Sequence, residues 1–180
     1  MMTILLLFFP LIASLAVLLG GSKLAAKLAL GLAVVELAIT GYAVSVFQAS
    51  GPEAFYIFHS WIESPKVSFH LGLDGLSLVM VLLTNFLTPI IILSAFNRNT
   101  PHAAGYFSLI LLMQFALVGV FMAMDGLLYY IFWELALIPI YFRAAASEGR
   151  SYPNELRRKI ALERATTVLV QLGVAVTLGH

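Results

Sequence analysis

Five long apolar stretches dominate this sequence, and each has the length of a membrane-spanning helix. They are Ile4–Gly20, Leu24–Phe47, Leu71–Phe96, Gly105–Met124 and Gly126–Phe142. At about 1.5 Å per residue, even about 17 residues make a helix of roughly 25 Å, which spans a thin hydrocarbon layer. With 61% hydrophobic and 11% charged residues, the chain has more apolar surface than a compact soluble fold can bury. The sequence therefore predicts an all-α integral membrane protein and excludes a soluble enzyme.

The basic residues between the stretches predict the orientation of the chain. The first loop has two lysines, the third has Arg98, and six further basic residues follow Phe142. The second loop, about Gln48–His70, has only Lys66. Cytoplasmic loops are enriched in Lys and Arg. We therefore expect the N-terminus outside and a basic cytoplasmic tail after the fifth helix.

The long loop before the third helix contains turn-forming and aromatic residues. Such a segment is expected to form a small hairpin at the outer membrane interface, with its aromatic rings at the depth of the lipid headgroups. The turn-forming residues are Pro52, Ser64 and Pro65, and the aromatic ones are Phe55, Tyr56, Phe58 and Trp61.

Several functional classes are excluded by residues that the sequence lacks. A net charge of +1 provides no patch for binding nucleic acid. With no cysteine, the chain has no disulfide, thiolate metal site or cysteine nucleophile. The four histidines lie outside the predicted helix cores, which argues against haem, and no metal-binding or nucleotide-binding motif is present. We therefore expect this chain to bind no cofactor or metal.

Glu134 is the most informative residue, because it is ninth in the stretch Gly126–Phe142 and so lies near the bilayer midplane. An ionised group there costs roughly 2.5–3.5 kcal/mol, and intramembrane acids are usually functional. We interpret Glu134 as a proton or ion relay, the alternative being a protonated carboxyl that bonds a neighbouring helix. Pro139 cannot donate to the carbonyl of Leu135, so a kink beyond the acid is expected, although an ordinary membrane proline is equally compatible.

Other polar residues in the apolar stretches have two interpretations each. Glu36 is a second intramembrane acid, which could face a cavity or another subunit, or be a neutral hydrogen-bonding residue in a helix contact. Asp74 is expected to cap the third helix. Gln114 is expected to hydrogen-bond between helices.

Two strings of residues resemble a known family. One is Trp61-Ile62 with Phe69–Leu78, which contains Asp74, Gly75 and Ser77; the other is Asp125–Phe142, which contains Trp133-Glu134 and Pro139. Together they resemble the antiporter-like chain M family of membrane subunits in bacterial respiratory complex I, the proton-pumping NADH–quinone oxidoreductase. The resemblance covers Met1–Phe142.

The resemblance implies a membrane subunit of an oxidoreductase that is not catalytic alone. It implies a multi-pass location in the bacterial inner membrane beside other complex I subunits, with NADH, flavin, iron–sulfur clusters and quinone in partner subunits of this electron transport chain. Family members have about fourteen helices in two inverted five-helix repeats. Glu134 falls on the family's helix-5 glutamate, which is thought to pair with a lysine two helices later.

Two alternatives remain open at this stage. Multi-subunit sodium/proton antiporters share the glutamate, and the chain could also be a truncated, non-transporting fragment. The residues after Phe142 depart from the family pattern, because Arg143–Arg164 is rich in charge and the final apolar run, Ala165–Leu178, is short for a span. We expect residues 143–180 to be a non-homologous tail produced by a frameshift or truncation near Arg143, or a genuine short variant.

Overall fold

The computed structural model describes residues 2–51, 55–62, 67–96 and 102–146. Within these ranges the chain forms five helices and one pair of strands. In chain order they are α1 (Met2–Leu19), α2 (Ala25–Ser50), β1 (Ile57–Ile62), β2 (Val67–Leu71), α3 (Gly75–Ser94), α4 (Ala103–Met122) and α5 (Gly126–Ala146).

The lengths and apolarity of the helices confirm the membrane class. Helices α1 to α4 are each long and apolar enough to cross a bilayer, and α5 contains a shorter apolar stretch, Gly126–Pro139. The fold is therefore an all-α multi-pass membrane protein. Which side the N-terminus faces stays a prediction, and most of the expected tail, residues 147–180, lies outside the described part of the chain.

The observed helix ends differ most from the expected ones at two places, the start of α3 and the end of α5. Helix α3 begins at Gly75 rather than Leu71, because Leu71 is the last residue of β2. Helix α5 continues beyond Phe142 to Ala146. Arg and Ala are among the strongest helix formers, so the sequence after Phe142 extends the last turn instead of ending it.

Helices α1 to α4 pack as a bundle in which each contacts its neighbours in the order α1, α2, α3, α4 and back to α1, and α2 also contacts α4. The hydroxyl of Ser14 on α1 donates to the carbonyl of Ser108 on α4 over 2.9 Å. Small residues such as these let membrane helices approach closely, and their hydroxyls can bond across the contact.

The loop before α3 forms an antiparallel hairpin, as expected. Ile57 pairs with Leu71, and the register is irregular between Ser60 and Ile62. The end of this hairpin also bonds the connection between α4 and α5, since the amide of Gly72 donates to the carbonyl of Met122 and the amide of Met124 donates to that of His70, each over 3.0 Å. The first of the two family-like strings therefore bonds the residues that directly precede the second, at one end of the bundle.

Other contacts bring the chain's N-terminal helix to the same end. The hydroxyl of Thr3, in the first turn of α1, donates to the carbonyl of Phe55, just before β1, over 3.0 Å. The start of α1, the hairpin and the α4–α5 connection thus share one end of the bundle, which is the arrangement that alternating spans require. Which end is outer stays a prediction from the loop charges.

Helix α5 packs against α4 through an aromatic contact. The ring of Phe132 lies edge-on to that of Phe115, with centroids 5.6 Å apart. A Cβ atom on Gly119 would overlap the Phe132 ring, so the absence of a side chain at Gly119 is what allows the ring to lie on α4.

Candidate functional site

A chain of hydrogen bonds joins three helices in the interior of the bundle. The amide nitrogen Nδ2 of Asn85 on α3 lies 2.7 Å from Oγ1 of Thr40 and 3.4 Å from Oε1 of Glu36, both on α2. On the other side, Nε2 of Gln114 on α4 donates to Oδ1 of Asn85 over 2.7 Å. We call these four residues the polar cluster.

The polar cluster is almost fully enclosed by protein. Glu36 and Gln114 are each 1% exposed, and Thr40 and Asn85 are 0% exposed. Buried polar groups of this kind are stable only when they bond one another, because nothing else in an apolar interior replaces water. The hydroxyl of Thr40 contributes by donating to the backbone carbonyl of Glu36 over 2.8 Å, which fixes its own orientation.

The polar cluster separates two apolar clusters. One lies toward the hairpin and includes Leu6, Ala43, Val81 and Val118; the other lies toward the opposite end and includes Val17, Ala29, Ile92 and Ile110. Along each of α2, α3 and α4, the polar residue falls between members of the two apolar clusters. Because these helices cross the bilayer, the cluster lies at mid-membrane depth.

Glu134 occupies a different place, on α5. Its side chain is half-buried, and the hydroxyl of Tyr130, one turn earlier, is close enough to interact with its carboxyl group. Trp133 is 41% exposed and stacks on Tyr129, with ring centroids 6.2 Å apart. Pro139 lies inside α5 and is buried, and the kink expected there stays a prediction.

The residues of the Asp-Gly-Leu-Ser motif form the start of α3. The carboxylate of Asp74 accepts a hydrogen bond from the backbone amide of Ser77 over 2.6 Å, and Gly75 is the first helical residue. This bond from Ser77 stabilises the charged carboxylate, so the pKa of Asp74 lies below its ordinary value. The side chain is exposed, which fits a structural cap rather than a chemical site.

The start of α5 is capped in the same way as the start of α3. The amide of Leu127 donates to the carboxylate of Asp125 over 2.8 Å. Both Asp-Gly pairs of the family-like strings therefore begin helices, and both sit where the hairpin meets the α4–α5 connection.

The structure brings together only some of the residues singled out from sequence. Glu36 and Gln114 share the polar cluster, and each hydrogen-bonds with Asn85 on another helix, as expected of Gln114. Whether Glu36 is neutral, as its helix-contact interpretation requires, stays a prediction. Asn85 was not identified from sequence, although an amide in the middle of an apolar helix is a usable signal. No group of three or more His, Cys, Asp or Glu residues is arranged for a metal within the described ranges.

The fold and these buried polar residues define the class: a multi-pass α-helical membrane protein with carboxyl groups inside its spanning helices. No family model matches the chain. Subunit M of F(420)H(2) dehydrogenase from Methanosarcina mazei is 36% identical over 139 residues, which is 77% of this chain and 28% of that protein. NADH-quinone oxidoreductase subunit M is 33% identical over 145 residues in Rickettsia typhi, covering 75% of this chain and 29% of that protein.

A third relative has a higher identity over a shorter stretch of the chain. Subunit M of the NADH-quinone oxidoreductase of Pseudomonas aeruginosa is 43% identical over 86 residues, which is 47% of this chain and 17% of that protein. These similarities confirm the resemblance seen in the motifs: part of this chain is related to the antiporter-like membrane subunits of complex I. The chain spans less than a third of the length of each of these relatives.

Proposed function

We propose that this chain serves in the membrane part of a proton-translocating NADH–quinone oxidoreductase, where Glu134 takes up and releases protons. The observation that carries the proposal is the position of Glu134. It is a half-buried acid inside the apolar helix α5, beside the hydroxyl of Tyr130, in a chain similar to NADH-quinone oxidoreductase subunit M. A carboxyl group inside an apolar helix is costly to place in a membrane, and such acids are usually functional, which supports a transport role.

Two polar groups on α5, near the carboxyl group of Glu134, support this role. The Tyr130 hydroxyl interacts with the carboxyl group from one turn away on the same helix face. Pro139 leaves the backbone carbonyl of Leu135 without its usual donor, so a polar group is available one residue after Glu134. Helices α1, α3 and α4 contain no Lys or Arg, so a cation that pairs with Glu134 would come from outside these three helices.

The proposed setting extends the family resemblance of the sequence. The chain would lie in the bacterial inner membrane as a multi-pass subunit, in contact with lipid and with other membrane subunits of the complex. NADH oxidation and quinone reduction would occur in partner subunits that hold flavin, iron–sulfur clusters and quinone. This chain would contribute to the enzyme as a translocating subunit and would not be catalytic alone.

The test is Glu134→Gln in the assembled complex, assayed in inverted membrane vesicles. Gln keeps the shape but cannot release a proton, so NADH-driven proton uptake and NADH:quinone turnover should both fall. Reduction of ferricyanide by NADH should stay unchanged, because that electron path does not pass through this chain. Tyr129→Phe is the control, since Tyr129 is 44% exposed on the same helix.

Undiminished proton uptake by the Glu134→Gln complex would refute the proposed role of this residue. Sodium-driven proton movement that needs no NADH would instead favour an antiporter complex.

A further inference from the structure

The polar cluster contains two buried oxygen atoms that have no hydrogen-bond partner. They are Oε2 of Glu36 and Oε1 of Gln114. Leaving a buried polar atom without a partner costs about 1–3 kcal/mol, and more for a charged group. Both atoms are acceptors when Glu36 is ionised, and acceptors alone cannot satisfy each other. With Glu36 ionised, the polar cluster therefore has no hydrogen-bond donor for these two oxygen atoms.

Among the residues that the structure describes, the charged groups around Glu36 do not supply one. Within the described ranges, the helices that pack most closely against α2 are α1, α3 and α4. Their sequences contain no Asp, Glu, Lys or Arg, and the only titratable side chain among them is Tyr106 on α4. On α2 itself, Lys27 is nine residues from Glu36 and Tyr42 is six residues away and 64% exposed.

An ionised Glu36 would therefore be a charge in an apolar interior with one weak amide contact. Burial of an unpaired carboxylate is so unfavourable that such groups take up a proton instead. A proton on Oε2 removes the charge and changes this atom from an acceptor into a donor. The amide of Asn85 still donates to Oε1, so the neutral carboxyl keeps the one contact that the structure gives it.

We propose that the polar cluster is an interior proton-binding site in which Glu36 carries the proton, held in place by Asn85 and Gln114. Asn85 is a positioning residue, because it bonds both Glu36 and Thr40 on α2. Gln114 positions Asn85 in turn, from α4. The site is separate from Glu134, since it lies on other helices, and it does not depend on the function proposed above.

The experiment is infrared spectroscopy of the full chain in lipid vesicles at neutral pH, comparing the wild type with Glu36→Gln. The difference spectrum should show that the substitution removes the C=O stretch of a protonated carboxyl. Glu134→Gln should leave this band in place, which distinguishes the two acids. Adding sodium chloride should not change it, because the bound species is a proton.

A second pair of variants tests the positioning role of Asn85. Asn85→Leu removes the donor to Oε1, so the C=O stretch of Glu36 should move to higher frequency. Thr84→Val is the matched control, because the Thr84 hydroxyl is on the same helix and bonds only the carbonyl of Met80 in its own helix. If Glu36→Gln does not fold, the Asn85→Leu shift and the wild-type pH titration of the band still test the site.

Three results would overturn the proposal. The first is loss of an ionised carboxylate band, rather than a protonated one, in Glu36→Gln. The second is conversion of the band to the ionised form when sodium is added, which would indicate a metal cation site. The third is an unshifted band in Asn85→Leu, which would show that Asn85 does not position the carboxyl group.

Discussion

Asn85 and Gln114 are joined by a hydrogen bond of 2.7 Å between the Oδ1 of one and the Nε2 of the other, deep between α3 and α4. The same Asn85 amide also reaches Thr40 and Glu36 on α2. A single side chain therefore connects three spanning helices. Apolar packing between membrane helices has no large hydrophobic driving force, because lipid is equally apolar, so such bonds help to specify which helices meet.

Asn85→Leu should destabilise the bundle. It removes both hydrogen bonds to α2 and leaves Gln114 without an acceptor, and stranding buried polar groups costs about 1–3 kcal/mol. The free energy of unfolding in bicelles measures the effect. Thr84→Val should change it by less than about 0.5 kcal/mol, as its hydroxyl bonds only its own helix. Equal stability of the two variants would contradict the linking role of Asn85.

Gly119→Ala should weaken the packing of α5 on α4. The added methyl group would overlap the ring of Phe132, and overpacking of this kind costs about 1–3 kcal/mol. The matched control is Gly31→Ala on α2, where a Cβ meets nothing within 4 Å. Unfolding measurements should show a loss for the first variant and none for the second. In a Phe132→Ala background, Gly119→Ala should lower the free energy of unfolding by less than it does in the wild type. If the two losses are instead additive, the two residues do not interact.

Asp74→Ala should cost about 0.5–2 kcal/mol, the usual contribution of a helix cap. The bond from Ser77 lowers the pKa of Asp74, so the carboxylate stabilises the fold fully above its ordinary pKa of 3.8 and this contribution is lost as pH falls below that value. Unfolding at several acidic pH values should therefore show the two proteins converging in stability as pH falls. A difference that stays constant through this range would rule out the charged cap.

Tyr130→Phe should reduce proton translocation in part, between the wild type and Glu134→Gln. It removes the hydroxyl group that interacts with the carboxyl group but leaves the carboxyl group itself in place. NADH-driven proton uptake by vesicles containing the complex is the measurement. Tyr129→Phe, the adjacent and exposed residue, should behave as the wild type. Identical effects of both changes would indicate a general disturbance of α5.

Single introduced cysteines should reveal the orientation, because the natural chain has none. The two variants are Ser22→Cys, in the α1–α2 connection, and Met124→Cys, in the α4–α5 connection near the hairpin. With the N-terminus outside, an impermeant maleimide should label position 124 in intact cells and position 22 only after the membrane is permeabilised. The reverse pattern would invert the predicted orientation.

Much of the fold could be predicted from the sequence because each helix makes its backbone hydrogen bonds within itself. In lipid, a run of apolar residues has no alternative to a helix, so Leu24–Phe47 and its counterparts predicted the spans directly. The turn residues and aromatics before α3 predicted the hairpin in the same local way. The errors lie at the ends: Leu71 pairs with Ile57 in the hairpin, and this non-local pairing is not visible in the local apolar pattern.

The candidate sites were less predictable. That Glu134 and Glu36 lie inside apolar helices followed from the sequence, as did the cap at Asp74, while the midplane depth of Glu134 stays a prediction. Which side chain meets which did not, because neighbours from different helices are far apart in sequence, such as Glu36 and Asn85, or Gly119 and Phe132. The role of Asn85 became visible only when α2, α3 and α4 were brought together.

By itself, the sequence determined that this protein is a multi-pass helical membrane protein, where its apolar helices lie, and that acids lie inside two of them. These are properties of single segments in a medium that forbids unpaired backbone groups. Only the tertiary structure decided that Glu36 is enclosed with Asn85 and Gln114, while Glu134 stays half-buried beside Tyr130. Rotation of each helix about its axis determines which residues meet, and that rotation is fixed by side-chain packing and hydrogen bonds between helices.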